Sequence, residues 1–124
     1  MATRFIDLLN LKTGTQDHVF DDSSLKGKID FDFMQEGKDY DCKIELYGNF
    51  TKQETDHSVR MFPVETDVYV GRLKYLKVLI GQDIYYIPKS DTIGIDLDQP
   101  LYYHISRKDL IQVNQVIHAD CINN

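Results

Sequence analysis

Apolar and polar positions alternate most regularly between residues 28 and 50. Ile29, Phe31 and Phe33 are interleaved with Lys28, Asp30 and Asp32. Past Gln35-Glu36-Gly37-Lys38, Tyr40, Cys42, Ile44 and Leu46 are interleaved with Asp41, Lys43 and Glu45. Period-two alternation on both sides of a glycine-bearing turn predicts a β-hairpin with one buried face. A turn about Glu36-Gly37 sets Ile29 opposite Ile44, Phe31 opposite Cys42 and Phe33 opposite Tyr40. On the other face Lys28 meets Glu45, Asp30 meets Lys43, and Asp32 faces Asp41. A slip of one residue would set Phe33 against an aspartate, so the alternation selects this register.

The rest of the chain is also strand-like. Residues 5–11 predict a first strand, 12–17 a turn around Gly14, and 18–20 a short strand. Gly48-Asn49 is expected to bend the strand that contains it, and residues 51–57 are polar enough for an exposed loop. Residues 59–70 predict one strand interrupted at Pro63, or two, because proline in a strand marks an edge or a bulge. Leu73, Leu76 and Ile80 keep helical spacing. However, Gly81-Gln82 stands between two apolar runs, which is the signal of a type II′ hairpin, so 73–80 is assigned as strand.

Residues 85–95 and 102–113 form a weak internal repeat. Each is led by a tyrosine pair and followed by a polar turn and an apolar stretch, which predicts two hairpin-like corners of one sheet system. Adjacent tyrosines on a strand point to opposite faces, so one of Tyr85-Tyr86 and one of Tyr102-Tyr103 is expected at the surface. Ser106-Arg107-Lys108-Asp109 has the form of a capping box, but Ile111, Val113, Val116 and Ile117 are β-branched. A final strand is expected, with a short helix as the alternative, and residues 119–124 are expected to be a frayed tail.

These elements predict a mainly β chain: a single domain, residues 1–124, folded as an antiparallel β-sandwich or a partly closed small β-barrel with at most one short helix. The length of 124 residues suits one core. Hydrophobic residues make up 42% and charged residues 27%, the composition of an ordinary globule. Aspartate greatly outnumbers glutamate, which favours turns over helices. The net charge of −6 disfavours non-specific nucleic-acid binding and suits a basic partner. No apolar run is long enough to cross a bilayer, no signal peptide is expected, and two cysteines make no disulfide framework. These features point to a cytoplasmic protein without a membrane partner.

The chemistry-bearing candidates are carboxylates. Asp30-x-Asp32, Asp39-x-Asp41 and Asp96-x-Asp98 each place two acids on one face of an extended backbone, and the hairpin would bring the first two pairs together. The predicted partner-binding surface is therefore Asp30, Asp32, Asp39, Asp41, Glu45, Tyr47, Asp96 and Asp98, offered to lysines or arginines of a basic protein surface. No calcium loop is present, since residues 91–96 lack a ligand at every second position. His118-Ala119-Asp120-Cys121 has the spacing of half a zinc site, without the second pair such sites need. No metal, cofactor or catalytic residue is assigned, and no enzyme is expected.

The function expected from the sequence is a non-enzymatic protein-binding module, such as an acidic accessory or inhibitor protein of a phage or mobile element. Two alternatives are a structural subunit of phage tail or capsid type that self-associates through edge strands, and a small-barrel nucleic-acid binder using Tyr102, Tyr103, Arg107 and Lys108.

Overall fold

A computed structural model describes residues 3–26 and 30–122. The chain runs β1 (Arg4–Leu9), β2 (Gln16–Asp21), α1 (Ser23–Lys26), β3 (Cys42–Thr51), β4 (Val59–Val70), β5 (Leu73–Ile80) and β6 (Asp83–Pro88). A 3-10 turn (Lys89–Thr92) then precedes β7 (Leu101–Val113), β8 (Val116–Ile117) and α2 (Ala119–Ile122). All strands belong to one sheet of order β1-β2-β7-β3-β6-β5-β4, in which β4 returns to pair with β7 and β8 flanks β7. The strands from β7 round to β4 thus make a partly closed ring, and β1 and β2 extend it as a flap. Pairings are antiparallel except β2 with β7 and β3 with β6, each joined in parallel at a single position.

The expected mainly β architecture is what the chain adopts, as one sheet bent into a partly closed ring. Gly81-Gln82 turns β5 into β6, with Ile80 paired to Asp83 and Gly81 at a φ of +62°. Residues 59–70 form one strand whose register shifts between Pro63 and Glu65, so the proline is accommodated at an irregularity. The ring interior is filled by Leu46, Met61, Leu76, Val78, Ile87, Tyr103, Leu110 and Val113, with Val19 from β2 and Phe31 from the segment before β3. Burying each such side chain stabilises the fold by about 1.5–3 kcal/mol.

The hairpin over residues 28–50 does not form. Lys28 and Ile29 lie outside the described residues, and 30–41 is irregular apart from its turns. The turn itself is present: Lys38 donates to the Gln35 carbonyl, Gly37 has a φ of +82°, and the Phe33 and Tyr40 rings meet edge to face at 5.9 Å. The ladder beyond it is absent, and β3 finds its long partner elsewhere. β7 pairs with β3 along its whole length, and β6 joins it at Glu45. Phe31 reaches the core from a loop. Its N–H donates to Ser23 Oγ at 3.0 Å and its carbonyl accepts from Arg4 Nη2 at 2.6 Å.

Three further expectations are corrected. The repeat is not structural: residues 85–95 run from β6 through the 3-10 turn, whereas 102–113 lie within one long strand, β7. Tyr85 and Tyr86 do point to opposite faces, but both are buried, because a second apolar cluster covers the outside of the ring. That cluster comprises Val70, Tyr75, Tyr86, Ile111 and Cys121, and its lid is β8 with α2, the stretch expected to fray. Residues 119–122 are instead helical, with Ala119 and Cys121 buried, so the described residues hold two short helices where at most one was expected. The Cys121 carbonyl accepts the Arg72 N–H at 2.7 Å, which docks α2 on the turn from β4 to β5.

Ring closure depends on a close backbone approach. Between Tyr47 and Gly48 the register of β3 on β7 shifts, and a Cβ at Gly48 would sit 1.9 Å from the His104 carbonyl oxygen. Gly48→Ala should therefore destabilise the chain by about 1–3 kcal/mol in urea unfolding, the usual penalty of overpacking. Unchanged stability would mean that the two strands separate there without loss.

Candidate functional site

The two register shifts of β3 against β7 determine which β7 side chains face outward. Ile105 and Tyr103 point into the ring. The shift beside Gly48 leaves Ser106 unpaired and moves Lys108 to the inner side, and a second shift between Lys43 and Ile44 leaves Ile111 unpaired. Lys108 reaches Asp17 at 2.5 Å and lies 5.1 Å from the Tyr85 ring, while the Tyr85 hydroxyl donates to the same carboxylate at 2.8 Å. Arg107 and Asp109 face outward and are paired: Nε donates to Oδ1 at 2.6 Å and Nη2 to Oδ2 at 3.1 Å. The guanidinium lies over two rings, 4.5 Å from the Phe20 centroid and 5.1 Å from that of Tyr47.

Beside this pair opens a cleft of about 390 Å³ between the outer face of the ring and the β8–α2 lid. Tyr47, Leu73, Tyr75, Pro88 and Ile111 give it apolar walls, and Asp22, Glu45, Asp109 and Asp120 bring four carboxyl groups to it. Arg107 lines it too, with its charge engaged by Asp109. Glu45 lies directly across from Asp109 on the paired strands. Its carboxylate accepts the Tyr75 hydroxyl at 2.7 Å. Among the described residues no lysine or arginine pairs with it. Lys43, on the same strand face, lies instead over the Tyr86 ring at 5.7 Å. Burial pushes the Glu45 carboxyl above its ordinary range, an effect partly offset by the Tyr75 hydrogen bond and reinforced by the Asp109 charge.

Tyr75 gives its single proton to Glu45, so the Cys121 thiol, 3.4 Å away, donates to the phenol oxygen. Burial raises the pKa of the thiol and of the phenol alike. A thiol in that state is a poor nucleophile. Cys42 is likewise raised, to about 11, by burial and by the neighbouring Asp41.

His118 is buried in the lid. The Asp120 N–H donates to Nδ1 at 3.0 Å, which leaves the ring proton on Nε2, donated to Asp22 at 2.6 Å. Both nitrogens are thus engaged within the fold, and no lone pair is left for general-base work. Asp22, His118 and Asp120 bring ligand atoms within 4.8 Å of one another. A 2.6 Å N···O separation is a hydrogen bond. Two ligand atoms on one zinc ion stand roughly 3.3 Å apart at metal–ligand distances of about 2.0 Å. The trio therefore reads as a structural clamp on the lid.

Of the surface proposed from the sequence, the structure brings only Glu45 and Tyr47 to this cleft. Asp30, Asp32, Asp39 and Asp41 lie on the irregular segment, and Asp96 and Asp98 on the loop before β7. Asp32 stands 4.0 Å from Arg4, whereas the Asp41 backbone exchanges hydrogen bonds with Asn114, so different neighbours hold the two acids. Asp30 Oδ1 accepts the Asp32 N–H, and Asp96 Oδ1 accepts the Asp98 N–H. These two Asp-x-Asp pairs are therefore turns in which the first carboxylate bonds the backbone two residues on. Asp22, Asp109, His118 and Asp120 were not assigned from sequence. The available signal was the charged run Arg107-Lys108-Asp109 inside a β-branched stretch.

The raised carboxyl of Glu45 has a measurable consequence. A group whose pKa is raised on folding contributes stability that is complete below its unfolded value, ordinarily 4.5, and is lost as the pH rises through the folded one. Glu45→Gln, neutral at every pH, should be more stable than the wild type at pH 7, with the difference gone near pH 4. Urea unfolding at both pH values checks this; equal stability at pH 7 would contradict a carboxylate buried without a cation. Comparison with protein-family models, with curated proteins and with solved structures found no significant match.

Proposed function

We propose that this protein is a non-enzymatic binding module, and that its cleft receives a lysine or arginine side chain from a basic protein surface. The observation that carries this reading is Glu45, a half-buried carboxylate lining the cleft, with the Tyr75 hydroxyl as its hydrogen-bond partner and, among the described residues, no lysine or arginine paired with it. An incoming cation would restore the charged form that burial disfavours, through a charge-assisted hydrogen bond in a sheltered site. Tyr47, 56% exposed at the cleft, offers a ring face to the aliphatic stem or the guanidinium. The acidic balance of the whole chain would speed the approach of such a partner and would repel nucleic acid. A cytoplasmic accessory or inhibitory protein fits this chemistry. Among the described residues no helix is long and apolar enough to cross a membrane.

Calorimetric titration with oligo-arginine and oligo-lysine peptides tests the proposal. Glu45→Gln should weaken binding about tenfold, the worth of one hydrogen bond to a charged group. Tyr47→Ala should weaken it by a smaller factor. Asp32→Lys and Asp41→Lys, outside the cleft, should alter it far less than Glu45→Gln. Affinity unchanged by Glu45→Gln would refute the proposal.

A further inference from the structure

The sheet has an open edge at β1. Among the described residues β1 pairs only with β2, and its outward backbone groups bond to no other segment. An unpaired edge is a template for another strand. β1 is also unusually apolar for an edge: Phe5 is 54% and Leu9 56% exposed on one face, while Ile6 and Leu8 pack against the core on the other.

We propose that two copies of this chain associate through β1, antiparallel, about a two-fold axis at Asp7. The occupant is identified by the strand's own pattern. Directly opposed residues of antiparallel strands share a face, so the axis must pass through a residue rather than between two. About Ile6, Phe5 would meet Asp7 and Arg4 would meet Leu8. About Leu8, Asp7 would meet Leu9 and Ile6 would meet Asn10. Only about Asp7 do Phe5 and Leu9 cover each other on the outer face while Ile6 and Leu8 do so on the inner one. The two cores would then join across a continuous sheet.

The same axis sets Asp7 against its own copy. Its side chain is 84% exposed and lies 2.6 Å from His18 Nδ1, so the carboxylate keeps a hydrogen-bond partner within each chain. Like charges opposite one another weaken a pair. The association is therefore reversible and salt-strengthened, with Asp7 limiting it. This inference stands apart from the cleft and does not need it.

Sedimentation equilibrium of the full chain tests it. The wild type should show a monomer–dimer equilibrium at high micromolar concentration, tightened by added salt. Asp7→Asn should tighten it roughly fivefold, the effect of removing one opposed like-charge pair. Asp7→Cys, in a Cys42→Ser background and shown folded by circular dichroism, should cross-link to itself with a short bismaleimide, since opposed Cβ atoms stand about 4.5–5.5 Å apart. Asp67→Cys in the same background should not. An Asp7→Asn variant that remains monomeric would overturn the proposal, as would a dimer that fails to cross-link through position 7.

Discussion

β7 is shared among more neighbours than any other strand, and that demand shapes the rest. It pairs with β3 along its whole length, with β4 near its start, with β2 at Asp109 and with β8 at its end. A strand with uniform alternation would present one fixed set of side chains to all of them. Two register shifts change its phase, so Tyr103, Leu110 and Val113 reach the interior while Ile111 reaches the outer cluster. Between the shifts lies the charged run. Lys108 is turned inward to a partly buried ion pair with Asp17, and Arg107 and Asp109 are turned out to line the cleft. Without the close approach at Gly48 this division of charges would not arise.

The lid follows from the same arrangement. A ring with apolar side chains on its outside needs a cover, and β8 with α2 supplies one that is anchored by polar contacts at its ends. His118 bonds Asp22 on one side, and the Cys121 carbonyl bonds the Arg72 N–H on the other. Between these anchors the cleft remains open, and the half-buried carboxyl of Glu45 has its charged form disfavoured by desolvation. A neutral or apolar group there would be less costly to bury. The tyrosine hydroxyl fixes the acid in place rather than neutralising it.

Much of the strand content was legible because local rules and tertiary context agree at those places. Gly81-Gln82 between apolar runs fixes the β5–β6 hairpin, and Pro63 marks an irregularity in β4. The residue 28–50 hairpin failed for a non-local reason: its turn is correct, but β3 takes β7, far along the chain, as its full-length partner. The Asp-x-Asp pairs misled because period-two spacing is also the spacing of an aspartate that caps its own turn. The repeat misled because β7 changes phase twice, which alternation along one chain cannot reveal. α2 is a single turn of helix held by tertiary contacts, and propensity carries little signal at that length. The cleft gathers residues from four strands, the end of β2 and the lid, so its existence is a property of topology. Only Glu45 and Tyr47, neighbours on one strand face, could be chosen together from the sequence.

The account stands on the charge state of one side chain. A carbon-detected NMR titration of the Glu45 carboxyl reads it directly in the folded protein. The midpoint should lie above the ordinary glutamate value of 4.5 and should fall when the cleft is saturated with an arginine-rich peptide. A midpoint at or below that ordinary value in the unbound chain would contradict it, because the carboxylate would then already be at ease without a cationic partner.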